Sequence, residues 1–229
     1  MSHAPPSSSS SRPAHGLSLA ELIEAEEGRG LLACFAERAL GEGALFDQAD
    51  RDQILIVRRG RLRVYLATHE RELSLAYLAP GDVFSTHTRA QIVAQEETTL
   101  LLAPRRAIER ELAAYPPLQA AVIRVLARTL GQSITLIEDL AFHSVRGRIA
   151  RYLLRGLARR GEACAVGAQI RLELTVEEIA ALLGTARQTA SSELSAMIRE
   201  GAIARLGRGN LVVLDPAALR AWAGEPQSG

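Results

Sequence analysis

The stretch "GTARQTASSELSAMIREG", Gly184 to Gly201, brings Arg187, Gln188 and Ser191 onto one face of a helix's first turn. That combination can read nucleic-acid bases. An arginine bonds bidentately to guanine O6 and N7, and a glutamine bonds to adenine or to a neighbouring side chain. Nearby, Thr175, Thr189, Ser192, Arg205 and Arg208 suit phosphate oxygens, contacts that position a duplex without specifying its sequence. The other residue with chemistry to offer is His87 in "GDVFSTHTRA", one of five histidines in the chain. By residue type alone it is a polar loop residue that carries a nitrogen donor. No nucleophile elbow, Walker loop or metalloprotease motif occurs, so the chain does not read as an enzyme. Its two cysteines, Cys34 and Cys164, lie far apart. They read as free thiols, which excludes a disulfide framework and a four-cysteine iron–sulfur or zinc site.

The elements around Arg187 form a recognisable set. Thr175 caps one helix with Glu178 closing its box, and Gly184 makes a tight turn. Thr185 is expected to cap the next helix with Gln188 at its third position, and Gly201 to end it. "AIARLGRGNLVVL" then reads as a β-hairpin turning through Gly207 to Asn210. Helix, turn, helix and hairpin make a winged helix-turn-helix, for which the rival use is protein contact. The polar face and the local arginines favour double-stranded DNA.

The region upstream of this module has a different pattern. "QILIV", "GRLRVYLA", "ELSLAYL" and "TTLLLA" are short runs rich in Val, Ile, Leu and Tyr, with Asp82 marking a turn after "PG". Strands at this spacing predict an antiparallel β jelly-roll barrel. From Leu118 a long helix is expected, with Ile123, Leu126, Leu130, Ser133, Ile137 and Leu140 spaced as an a/d seam. A second apolar row, Val122 and Val125, sits beside Ala127 and Gly131. A single helix could lay such a seam on its own barrel, but two rows let one face the barrel while the other meets a partner helix. The reading favoured is a parallel homodimer. A hinge near residues 142–144 leads into the arginine-rich helix "VRGRIARYLLRGLARR".

At 229 residues the chain accommodates two cored domains. The fold class expected is α+β: residues 1–16 a disordered Ser/Pro-rich tail, 17–117 a β-barrel sensor domain opening with a capped helix (Ser18, Glu21), 118–143 a dimerisation helix, and 144–229 the DNA-binding domain. Every one of the 27 basic residues is arginine, and the net charge is +1. From Val145 onward 12 arginines face 8 acidic residues. A basic end on an acidic body fits a nucleic-acid module. No apolar run is long enough to span a membrane, and the N-terminus lacks the apolar region of a secretory signal, so a cytoplasmic protein is expected.

Barrel, long helix and winged helix, in that order, resemble the Crp/Fnr family of bacterial transcription regulators over nearly the whole chain. Members that bind cyclic nucleotide carry, after the "PGD" turn, a Glu for the ribose and an Arg for the cyclic phosphate. Here "PGDVFSTHTRAQIVAQEETTL" has Arg89 without the preceding Gly-Glu and is too short. The stretches "GRLRVYL", "EREL", "SLAYLAPGDVF", "TLIEDLAFH", "TVEEIA" and "RQT" are closer to the haem-containing carbon monoxide sensors of the family, the CooA group. The cyclic-nucleotide-binding-like barrel would then hold haem b. That resemblance implies that His87 is a ligand of ferrous haem and that Ile123, Leu126, Ala127 and Leu130 line its far face. A neutral imidazole suits haem iron.

It further implies a carbon monoxide-responsive activator that binds palindromic DNA as a homodimer and meets RNA polymerase. Three positions depart from that group. Ser85 stands where its best-known members have a cysteine that ligates ferric iron, and Cys34 and Cys164 are not expected to substitute. Ala127 replaces a glycine. The N-terminus is also longer, leaving the N-terminal amine, His15 and His3 as rival donors for the second iron position. The alternative reading is a Crp/Fnr-type DNA-binding regulator with another effector and no haem.

Overall fold

The computed structural model describes residues 32–47, 52–69, 72–114, 116–207 and 209–225. The expected tail, the helix capped by Ser18, the donors His3 and His15, and Arg208 lie outside the described residues.

The first half is built from β1 (Ala36–Leu40), β2 (Gln53–Arg59), β3 (Leu62–Ala67), β4 (Glu72–Leu78), β5 (Val83–Ser85), β6 (Gln91–Ala94) and β7 (Thr98–Pro104). These pair antiparallel in two sheets, β1-β7-β2-β5 and β4-β3-β6. The sheets face each other as a double-sheet jelly roll without closing into a barrel. Alternation explains the arrangement: inward-facing Leu55 and Val57, Leu62 and Val64, Ile92, and Leu100 share one core, while their strand neighbours turn to the opposite face, where Ile56 is buried in a second cluster. The turn at Asp82 is as expected. Its carboxylate accepts from Ala79 N–H at 2.9 Å, and Gly81 supplies a φ of 91° that a side chain would oppose.

Two helices leave the sandwich, α1 (Arg105–Ala114) and α2 (Pro116–Phe142). α2 begins at Pro116 rather than Leu118, because prolines in a helix's first turn forfeit no intrahelical bond. Val122 and Val125 pack with Ile56, Ala103 and Ile108 of the sandwich side. The second apolar row therefore does face the sheet. The seam does not: Ile123, Leu126, Leu130 and Ile137 are 64%, 62%, 63% and 64% exposed.

Ser144 caps α3 (Val145–Arg159), its hydroxyl accepting from Gly147 N–H. β8 (Gln169–Arg171), α4 (Val176–Leu182), α5 (Arg187–Arg199), β9 (Ile203–Arg205), β10 (Asn210–Val213) and α6 (Pro216–Ala223) complete the second half. The wing is a three-stranded sheet in the order β8-β10-β9. Its core gathers Ile149, Leu153, Leu157, Ile179, Met197 and Leu219. Among the described residues, no helix is long and apolar enough to cross a membrane.

Candidate functional site: a nucleic-acid interface and a histidine loop

The helix-turn-helix forms as its caps dictate. Thr175 Oγ1 accepts from Glu178 N–H at 3.2 Å, and Glu178 Oε2 accepts from Thr175 N–H at 2.7 Å. Together the two bonds make a complete capping box for α4. Gly184, at φ 62°, carries the turn. One expectation fails here. Thr185 does not cap α5: the N-cap is Ala186, which makes no side-chain cap bond. The Thr185 N–H is still bonded to Ala180 O, so that residue belongs to the close of α4.

Ala190, Leu194 and Met197 bury one face of α5. The opposite face exposes Arg187, Gln188, Thr189, Ser191 and Ser192. The hairpin turns as expected, with Arg205 opposite Leu211 and Leu206 N–H bonded to Asn210 O. Arg205 is exposed near the wing tip.

Counting arginines overstated the basic surface. Arg146 binds Glu193 and Glu200, Arg151 and Arg155 bind Asp139, and Arg160 binds Glu162. Arg148 donates to Leu183 O, and Arg220 to Cys164 O. Half of the 12 arginines past Val145 are thus already engaged within the protein. Arg187 and Arg205 are exposed and make no hydrogen bond or ion pair among the described residues.

His87 lies in the five-residue connection between β5 and β6. Thr86, fully buried, bonds through its N–H to Gln53 O at 3.0 Å and accepts from Gln53 N–H at 3.1 Å. Ala90 is buried at the other end, its N–H bonded to Thr88 Oγ1. Pinned at both ends, the loop exposes His87, Thr88 and Arg89 between them. Ser85 Oγ accepts from the His87 N–H at 3.4 Å, so the serine shapes the loop. Beside it, the Arg105 guanidinium holds the Asp52 carboxyl below its usual range, with His87 a lesser contributor when protonated.

The strand leading into this loop runs along α2. Val83 joins the cluster that contains Val122 and Val125, and Arg128 reaches Asp82 at 3.5 Å. Ile123, Leu126, Ala127 and Leu130 are exposed on a neighbouring face of that helix rather than packed on the sandwich. Cys34 is nearer to this region than its sequence position indicated. It packs against Ile56, Ala103 and Ile108, the group that also meets Val83.

Residues 147–222 match the Crp-like helix-turn-helix domain. The cyclic AMP receptor protein of Thermus thermophilus is 32% identical over 82% of this chain and 88% of its own length. Among solved structures, a CooA mutant from Carboxydothermus hydrogenoformans is 33% identical over 90% of this chain and 96% of its own, with a TM-score of 0.83. The reduced Fe(II) CO-sensing protein from R. rubrum is 34% identical over 90% of this chain and 99% of its own, with a TM-score of 0.51. At nearly equal identity, these two relatives differ in how far they superpose on this chain over its length. With likeness on this scale running through both halves, the chain belongs to the Crp/Fnr family of DNA-binding transcription regulators.

Proposed function

We propose that the protein is a haem-dependent sensor of carbon monoxide, or of another diatomic gas, that activates transcription by binding palindromic DNA as a homodimer. The observation that carries this reading is the His87 loop: a connection anchored by Thr86 that exposes an imidazole with no hydrogen-bond partner among the described residues, next to a strand packed against α2. Haem b iron, when bound, supplies a coordination position that a diatomic gas can occupy.

The residues present fit that group. His87 offers a neutral nitrogen donor, and Ile123, Leu126, Ala127 and Leu130 offer an apolar wall that nothing in the described protomer covers. Ser85 would not act as a ligand, because its hydroxyl is not ionised at neutral pH and already receives a bond from the loop backbone. The N-terminal amine, His15 and His3 remain the donors proposed for the second iron position.

The same division of labour extends along the chain. Residues 17–117 would sense, 118–143 would join two copies through the exposed seam, and 144–229 would bind DNA. Arg187, Gln188 and Ser191 would read bases, while Arg205 and Arg208 would hold phosphates. Activation would require contact with RNA polymerase, as is general for regulators of this family.

A second reading, a regulator with another effector and no haem, draws on the cyclic AMP receptor named among the relatives. Against it stands the short connection between β5 and β6, which has Arg89 but lacks the preceding Glu that, with such an Arg, holds a cyclic nucleotide. The deciding experiment measures DNA affinity of protein expressed with haem supply, with and without carbon monoxide and with cyclic AMP. Gas-dependent binding supports the haem reading. A response to cyclic AMP alone would replace it.

A further inference from the structure

The two halves of the chain meet along α4. At its N-terminal end, Arg61 NH2 lies 2.5 Å from Glu178 Oε1, with the two side chains only 32% and 15% exposed. At the other end, Gly184 sits against Leu73 of β4 and Leu140 of α2, so close that a Cβ there would lie 2.7 Å from Leu140 Cδ2. A polar contact and an apolar one thus fix the first helix of the helix-turn-helix to the sensor sheet at both ends.

Arg61 is unusually well held for a surface arginine. Its N–H donates to Thr98 Oγ1 at 3.2 Å, and its carbonyl accepts from Gln95 N–H at 2.8 Å. Gly60 before it, at φ 85°, lets the backbone pass Glu97 O where any Cβ would be 2.5 Å away. The guanidinium lies 5.5 Å from the centre of the Tyr77 ring. Burial pushes the Tyr77 phenol up and so keeps it neutral, leaving the ring face to attract the cation.

Glu178 has a second duty. Its other oxygen, Oε2, closes the capping box on Thr175. We propose that the Arg61–Glu178 pair is a latch between sensor sheet and DNA-binding domain, and that its sharing of the capping carboxylate ties the N-terminus of α4 to the position of the sheet. A displacement of the β2–β3 turn then pulls on the cap of the helix that crosses the DNA backbone. Two relatives of nearly equal identity superpose on this chain to different extents. The latch belongs to the arrangement described here. It holds whichever effector the sensor takes, so a missing haem would leave it standing.

Hydrogen–deuterium exchange on the full-length protein without DNA tests it. Arg61→Glu should speed exchange in residues 140–148 and 175–184 by about fivefold, and Arg61→Lys by much less. Exchange in residues 92–102 of the sandwich core should stay unchanged, which separates unlatching from general destabilisation. Glu178→Gln keeps an amide oxygen for the Thr175 N–H, so combining it with Arg61→Gln should give clearly non-additive exchange. Unchanged exchange at 140–148 and 175–184 in Arg61→Glu overturns the latch. So does additivity in the Arg61→Gln, Glu178→Gln cycle, which decides the matter even if Arg61→Glu loosens the whole fold.

Discussion

Asp139, near the end of α2, is 3% exposed and its Oδ1 meets Arg151 Nε at 2.5 Å. Its other oxygen meets Arg155 NH2 at 2.7 Å. Both arginines stand on α3, one turn apart, so a single carboxylate clasps two turns of the helix beyond the hinge. Arg151 also reaches Glu138 at 3.0 Å. The long helix and the DNA-binding domain are therefore joined by a buried charge cluster as well as by the backbone through His143 and Ser144.

Removing one member of a buried pair leaves the rest uncompensated, which costs more than the pair contributes. Asp139→Ala should lower stability by about 3 kcal/mol, while Glu138→Ala, at the exposed rim, should cost about 0.5 kcal/mol. Urea unfolding of the two variants checks the ranking. Equal, small losses would mean that the hinge is not held this way.

Two glycines separate backbone strain from crowding. At Gly201 a Cβ would stand in open space at φ 78°. Only the left-handed backbone opposes Gly201→Ala, at about 1 kcal/mol. Gly184→Ala adds contact with Leu140 and Leu73 to the same strain. It should cost about 2–3 kcal/mol. Thermal unfolding should show the larger drop at Gly184.

The recognition face makes its own prediction. Arg187→Ala should cost about 1–3 kcal/mol on the preferred site and relax selection at one position in each half-site. Arg205→Ala should weaken binding to all sequences alike and reduce the salt slope by about one unit. Binding titrations at several salt concentrations, on matched and mismatched duplexes, distinguish the two. A sequence-independent loss at Arg187 would remove it from the base-reading role.

Much of this was legible because local signals agreed. Thr175 with Glu178, then Gly184 and Gly201, fixed the helix-turn-helix almost residue by residue, since each feature is chemistry within a few positions. α6 was equally legible yet missed. Asp215 caps it, Pro216 opens it and Gly224 closes it at φ 73°. Long-range features were not available. Nothing local tells that Arg146, Arg148, Arg151, Arg155 and Arg220 are taken up by bonds within the protein, because each of those bonds joins parts of the chain that only folding brings together. β1 and β8 were missed for a related reason: they are short strands whose existence depends on β7 and β10 offering an edge. The His87 loop was recognisable from its neighbours in sequence, but its pinning by Gln53 was not.

The exposed seam of α2 is the face proposed to meet the same helix of a second copy. Ile123, Leu126, Leu130 and Ile137 form a row of large, mostly exposed apolar side chains. Such a row is a poor surface for a protomer in water. Ile137→Asp should convert the homodimer to monomer in analytical ultracentrifugation and weaken binding to a two-half-site duplex by about 100-fold. Val125→Asp, on the face turned to the sandwich, should instead lower stability. A monomeric wild type would contradict the dimer.

The absorption spectrum of the reduced protein, expressed with haem supply, tests the central claim most directly. The account predicts a Soret band in the wild type and a clearly altered band in His87→Ala, with gas-dependent DNA binding lost. Ser85→Ala should leave the reduced spectrum nearly intact. A wild type without haem, or a His87→Ala spectrum identical to the wild type's, would contradict the account.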